Sequence, residues 1–184
     1  MDKVRLALVG VGAIGKRHAK LLIDGEIPGA SLAAICDLPD SLKHATQELQ
    51  WSKSCFIDYE AMLKWGEFDA VIVATPHMFH PRQALRALES SFHVFCEKPI
   101  GVRASDCTGL LNAAAESPNL FMVNFNQRFE GAKRALKDLV SSGGVGELRR
   151  SQWNASWYRP QAYYDSQAWR GTWKGEGGGL LINQ

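Results

Sequence analysis

The sequence predicts an α/β fold, a doubly wound parallel sheet followed by the incomplete start of a second, α+β unit. Three observations lead there. Short apolar runs alternate with longer amphipathic ones over the first 125 residues, as parallel strands joined by crossover helices require. A glycine-rich turn, Gly10–Gly15, follows the first apolar run directly. From about Glu130 the alternation stops, and the chain becomes rich in Trp, Tyr and Gly.

Strands are expected at Val4–Val9, Leu32–Cys36, Ala70–Ala74, His93–Cys96 and Leu120–Asn124, apolar runs too short for helices. Between them Ile14–Ile23, Ser41–Gln50, Tyr59–Trp65, Arg82–Ser90 and Ser105–Glu116 place leucines and alanines three or four positions apart, the spacing of one helix face. Ala132–Val140 is one more amphipathic helix, closed by the flexible Ser141-Ser142-Gly143-Gly144. A half-covered strand is expected over Leu148–Tyr158, where Trp153, Ala155 and Trp157 alternate with Gln152, Asn154 and Ser156. The residues after it are too few and too irregular to complete a sheet. The division expected is therefore a first domain over 1–125 and the start of a second over 126–184.

Composition bounds the class of ligand. The chain has 184 residues, 46% hydrophobic and 22% charged, with 21 Lys and Arg against 19 Asp and Glu. A formal charge of +2 gives no broad electrostatic footprint for a nucleic acid or an anionic membrane, so a small molecule fits better. Cys36, Cys55, Cys96 and Cys107 form no Cys-x-x-Cys pair and read as free thiols, three of them in or beside apolar runs. No metal site is expected. The apolar start is cut by Gly10, Gly12 and Gly15 and lacks a signal-peptide cleavage pattern. No run is long enough to span a membrane, and a cytoplasmic location is expected.

Gly10-Val11-Gly12-Ala13-Ile14-Gly15, between an expected strand and an expected helix, has the G-x-G-x-x-G arrangement of dinucleotide-binding turns. Gly10 permits the tight turn, Gly12 lets the backbone approach a pyrophosphate, and Gly15 allows close helix–strand packing. The helix start, through Ala13, Ile14 and Gly15, offers N–H groups to the anion. A glycine turn that merely joins strand to helix is the alternative. Asp37 ends the second strand 22 residues after Gly15, close to where a ribose-binding carboxylate belongs. A carboxylate there accepts both ribose hydroxyls and repels a 2′-phosphate, and Leu38 supplies no cation to offset it, so NAD is expected over NADP. A helix cap or turn role for Asp37, with Pro39 following, stays open.

Thr75-Pro76-His77-Met78-Phe79-His80 follows one expected strand, and Glu97-Lys98-Pro99 follows another. Both lie at carboxyl ends of strands, where ligands bind in open α/β sheets. Together with the glycine turn, Asp37, Asn126-Gln127-Arg128-Phe129, Gly177-Gly178-Gly179 and Asn183, in that order, they make the whole chain resemble the Gfo/Idh/MocA family of oxidoreductases. The resemblance implies a Rossmann domain with a nicotinamide end lined by Thr75, Pro76 and His80. It also implies that Glu97 and Lys98 bridge cofactor and substrate, that Asn126 lies on the cofactor side, and that Arg128 and Asn183 lie on the substrate side. Lys98 is the catalytic candidate, since a lysine flanked by Glu97 and fixed by Pro99 can donate to a substrate oxygen as charge develops there. His80, ahead of Pro81, could instead simply open a helix.

The activity implied is NAD-dependent hydride transfer from a secondary alcohol of a sugar, sugar acid or inositol. Family members carry a larger second domain that closes the substrate site and makes homo-oligomers. They also carry an acid–base histidine a few positions after the residue matched by Asn183, a position beyond Gln184. A dinucleotide-binding module without turnover, acting in sensing or assembly, is therefore a second expectation. In the late segment Trp157-Tyr158-Arg159-Pro160, Tyr163-Tyr164-Asp165 and Trp169–Trp173 interleave aromatics with cations. Trp157, Arg159 and Tyr163 suit a polyol, aromatic faces packing on ring C–H groups and guanidinium forks fixing hydroxyls. A protein interface has the same composition.

Overall fold

The computed structural model describes residues 3–154, 156–179 and 182. In the first unit, six parallel strands are β1 (Val4–Val9), β2 (Ala30–Cys36), β3 (Ser54–Phe56), β4 (Ala70–Val73), β5 (His93–Glu97) and β6 (Phe121–Asn124). Their order across the sheet is β3-β2-β1-β4-β5-β6. The connecting helices are α1 (Ala13–Ile23), α2 (Pro39–Glu48), α3 (Tyr59–Trp65), α4 (His80–Glu89) and α5 (Ala104–Glu116), with a 3-10 turn at His77–Phe79. This is the doubly wound sheet expected, and its strand order reverses between β1 and β4, the switch point at which open sheets bind ligands.

The two faces of the sheet bury two separate cores. On β1, Ala7 and Val9 face the side covered by Met62, Leu63, Ala84, Leu88 and Leu110, while Leu8 faces Ala19, Leu22 and Leu42. Strand β2 changes phase midway: Leu32 lies in the second core, Ala34 and Cys36 in the first. The cause is a register shift, in which Leu6 and Ala7 pair with Leu32 and Ala34, leaving Ala33 as an extra residue. Every residue of β4 is buried, the signature of a central parallel strand covered on both sides.

Two departures from expectation have physical causes. Strand β3 was not expected, because three residues between Lys53 and Asp58 carry too little apolar pattern to be read; its ladder to β2, Ala34 to Ser54 through Cys36 to Phe56, defines it instead. The strand expected over 148–158 does not form among its described residues, where Trp153 and Trp157 are exposed. A strand is held by its ladder, and no described segment pairs with this one.

The described chain divides into two compact units, one of residues 1–124 with 171–184 and one of 125–170. The second unit holds a 3-10 turn at Asn126–Phe129, α6 (Gly131–Ser141) and α7 (Gln161–Asp165). Helix α6 is amphipathic yet has no buried residue, leaving Leu136 and Leu139 exposed. In the first unit the late segment adds α8 (Trp173–Glu176), capped by the Thr172 hydroxyl accepting from the Gly175 N–H. Gly177 sits so close to Val102 that a Cβ there would lie 2.9 Å from the valine Cβ. No helix among the described residues is long and apolar enough to cross a membrane.

Candidate dinucleotide and catalytic site

The carboxyl ends of β1, β2 and β4 are locked together by backbone bonds. The Gly10 N–H donates to the Cys36 carbonyl at 2.9 Å, and the Ala74 N–H to the Val9 carbonyl at 2.8 Å. Gly10 adopts φ +93°, and a Cβ on it would lie 2.6 Å from the Ala74 carbonyl, so this turn accepts only glycine. Gly15 faces inward, where a Cβ would stand 1.8 Å from the Gly10 oxygen. Gly12 is the opposite case, since a Cβ would meet nothing within 4 Å. The turn is thus closed on its protein side by Gly10 and Gly15 and open on its outer side at Gly12, Ala13 and Ile14, all exposed.

Helix α1 begins in that opening. Gly12 caps it without a side-chain bond, and its first turn holds no acidic residue. The first amide to find a partner within the helix is Lys16, on the Gly12 carbonyl, so the preceding N–H groups are available to an anion. Asp37 borders the same opening. One carboxylate oxygen accepts the Val11 N–H at 2.6 Å and the other the Leu38 N–H at 2.7 Å. The carboxylate is half-exposed and keeps lone pairs for further donors. The residues present fit a dinucleotide: a turn closed by Gly10 and Gly15 and open at Gly12, helix-start amides beyond it, and an oriented carboxylate beside it.

The two loops beyond β4 and β5 are joined by His80. Its ring is fully buried, with Nδ1 2.7 Å from the Pro99 carbonyl oxygen and Nε2 2.7 Å from that of Thr75. An imidazolium donates to both carbonyls and a neutral ring to one. Burial is the larger influence and lowers the pKa of His80, against the carbonyl bonds and Glu97. An enclosed ring with both nitrogens so occupied acts by holding the two loops, and leaves no atom to touch a ligand. Thr75 donates its hydroxyl to the Gln83 amide oxygen at 2.5 Å, while Pro76 and Lys98 are half-buried.

Glu97 is buried at the end of β5, opposite Asn124 of β6. Its Oε1 lies 2.7 Å from His18 Nε2 on α1 and accepts from Asn124 Nδ2 at 2.8 Å. Burial pushes this carboxyl up, but the bonds from His18 and Asn124, the His18 charge and the Lys98 backbone N–H together hold it below its usual value. For both His80 and Glu97 the folded pKa is depressed, so each contributes stability that is complete above its unfolded value and is lost as the pH falls through its folded one. The melting temperature is expected to fall on acidification, first below about pH 6.5 through His80 and then below about pH 4.5 through Glu97. Calorimetry across that range checks it, and His80→Gln should remove the upper phase.

The sequence-derived residues thus fall into two groups. Gly10, Gly12, Ala13, Ile14, Gly15, Asp37, Thr75, Pro76, His80, Glu97 and Lys98 lie in the first unit, along the carboxyl edge of its sheet. Asn126, Arg128, Trp157, Arg159 and Tyr163 belong to the second. There the Arg128 guanidinium lies 5.2 Å from the Phe125 ring centre, and those of Arg159 and Arg170 lie 4.8 Å and 4.3 Å from the Tyr163 ring centre. Asn183 lies outside the described residues. Sequence reasoning overlooked His18 and Asn124; the one signal for His18 was its place three residues after Gly15, nearly one turn along the same helix face.

Glycine turn, helix start, carboxylate and strand order define a dinucleotide-binding α/β domain. The family described as "Oxidoreductase family, NAD-binding Rossmann fold", Gfo/Idh/MocA, matches residues 4–125, and the chain belongs to it. It is 26% identical over 172 residues to an inositol 2-dehydrogenase of Salmonella typhimurium, an alignment covering 89% of this chain and 51% of that protein. The chain therefore spans about half the length of the curated relatives it matches. Among solved structures, the WlbA dehydrogenase of Chromobacterium violaceum, in complex with NADH and UDP-GlcNAcA, superposes with a TM-score of 0.91 at 32% identity, covering 100% of this chain and 52% of that one. The scyllo-inositol dehydrogenase of Lactobacillus casei, with NAD(H) and scyllo-inositol, gives 0.73 at 33% identity, covering 79% of this chain and 43% of that one.

Proposed function

We propose that the chain is the NAD-binding part, with the start of the substrate domain following it from about residue 126, of a dehydrogenase acting on a secondary alcohol of a sugar, sugar acid or inositol. The observation that carries this reading is the cradle left open at Gly12 beside the doubly anchored Asp37 carboxylate. The amides at the start of α1 hold the diphosphate, Asp37 takes the adenosine ribose, and Thr75 and Pro76 border the nicotinamide. Bound NAD supplies the hydride acceptor. Lys98 orients the substrate hydroxyl and carries its proton as the carbonyl forms.

Within that range of substrates the sugar acids are favoured. The WlbA match runs over the whole chain, the second unit included, whereas the scyllo-inositol dehydrogenase match covers 79% of it. The whole protein is further proposed to form homo-oligomers through the second domain.

Titration with NAD, followed by tryptophan fluorescence, tests the cofactor reading; no change on saturation overturns it. A panel of inositols, aldoses, uronates and nucleotide-linked uronates, read by NADH formation, then tests the substrate. Asp37→Ser should weaken NAD by roughly 10–100-fold, the worth of one or two hydrogen bonds to a charged group, while weakening NADP less. Equal losses for the two cofactors would remove Asp37 from their discrimination.

A further inference from the structure

Glu97 and Lys98 adjoin, but the side chains that fix Glu97 come from elsewhere in the sheet. His18 Nε2 and Asn124 Nδ2 converge on the same carboxylate oxygen, at 2.7 Å and 2.8 Å. Both partners are well enclosed, with side-chain exposures of 15% for His18 and 9% for Glu97. The edge of the His18 ring also packs on Phe95, with ring centres 5.8 Å apart and planes at 84°. A carboxylate only accepts hydrogen bonds, so His18 Nε2 carries the hydrogen. Lys98 follows Glu97 directly in the chain, so the placement of this residue sets the placement of the lysine backbone. A chain of polar contacts therefore runs from α1, whose first turn borders the dinucleotide cradle, through His18 to Glu97, the residue that precedes Lys98.

We propose that His18 is a positioning residue for Lys98, acting through the Glu97 carboxylate, and that it ties the loop bearing Lys98 to the helix that receives the diphosphate; this rests on the dehydrogenase reading. The physical reason is the cost of a buried charge whose partner is removed. Without His18, the Glu97 carboxylate loses one of the two side-chain donors on its Oε1 and keeps Asn124, an amide that carries no charge to offset an enclosed anion. It then takes up a proton or turns outward, and either change releases the backbone of Lys98. The next titratable group facing Glu97 is His80 on α4, which clamps the other side of the same loop at the Pro99 carbonyl.

The test compares His18→Leu, which removes the donor, with His18→Gln, which keeps a side-chain N–H. The Glu97 titration is followed by carboxyl carbon NMR, and Lys98 by its rate of acetylation with acetic anhydride, read by peptide mass. His18→Leu is expected to raise the Glu97 midpoint by about one pH unit or more and to change the Lys98 acetylation rate several-fold, and His18→Gln to recover most of both. Unchanged Glu97 and Lys98 readings in His18→Leu overturn the proposal, as does equal disturbance in the two variants, which would mark His18 as a space-filler. If His18→Leu fails to fold, Asn124→Ala, which takes away the other donor to the same oxygen, is expected to change the Lys98 rate several-fold relative to the unaltered chain; an unchanged rate there overturns the proposal. NAD titration of the unaltered chain reports on the cofactor reading separately.

Discussion

Lys98→Ala is expected to lower NAD reduction by the preferred sugar or inositol by about a hundredfold to ten-thousandfold, the range of general acid–base catalysis, while NAD affinity changes little. The lysine is half-buried at the carboxyl end of β5, and its backbone neighbours are immobilised on both sides. Glu97 is held by His18 and Asn124, and Pro99 offers its carbonyl to His80. A backbone held on both sides narrows the space the lysine side chain explores, so less freedom is lost when it engages the substrate hydroxyl whose proton it carries. None of the groups assigned to the diphosphate or the adenosine ribose involves Lys98, so fluorescence titration with NAD should give nearly the unaltered curve. Steady-state rates and that titration, taken together, decide the matter: equal rates with and without the lysine would take it out of the chemistry. A large loss of NAD affinity would move it to cofactor binding.

What could be read from the sequence was whatever depends on neighbours in the chain. The alternation of apolar runs and helical spacing carried the doubly wound sheet, because each crossover unit is local. Gly10, Gly12 and Gly15 stand within six residues, so their separate surroundings follow from one strand–turn–helix. Strand β3 was not legible, since three residues with an exposed Cys55 become a strand only through their ladder to β2. The strand expected over 148–158 failed for the converse reason: its alternation is clear, but pattern alone supplies no partner. His18 and Asn124, 106 positions apart in the chain, were invisible as a pair because they come together only when α1 and the ends of β5 and β6 meet at Glu97. The enclosure of His80 was equally hidden, since its two carbonyl partners lie five residues before it and nineteen after it.

The glycine turn offers the sharpest separation of folding from binding, because two of its members should respond in opposite ways to the same added methyl group. Gly15→Ala places a Cβ 1.8 Å from the Gly10 oxygen and 2.9 Å from its carbonyl carbon, both backbone atoms that cannot rotate aside. Helix α1 must then lift away from β1, and the cost is at the upper end of overpacking, about 3 kcal/mol, or a drop in melting temperature near 10 °C for a chain of this size. Gly12→Ala has an ordinary φ of −67° and a Cβ that meets nothing within 4 Å, so its melting temperature should stay within a degree or two, as surface substitutions do. The added methyl nevertheless stands in the space through which a diphosphate reaches the first amides of α1. NAD affinity is expected to fall at least tenfold, about 1.4 kcal/mol, in a protein as stable as the original. Melting curves and NAD titrations of the two variants side by side check this. Full NAD affinity in Gly12→Ala would mean that the diphosphate does not lie against the start of α1, and the cofactor assignment would have to be rebuilt on other residues.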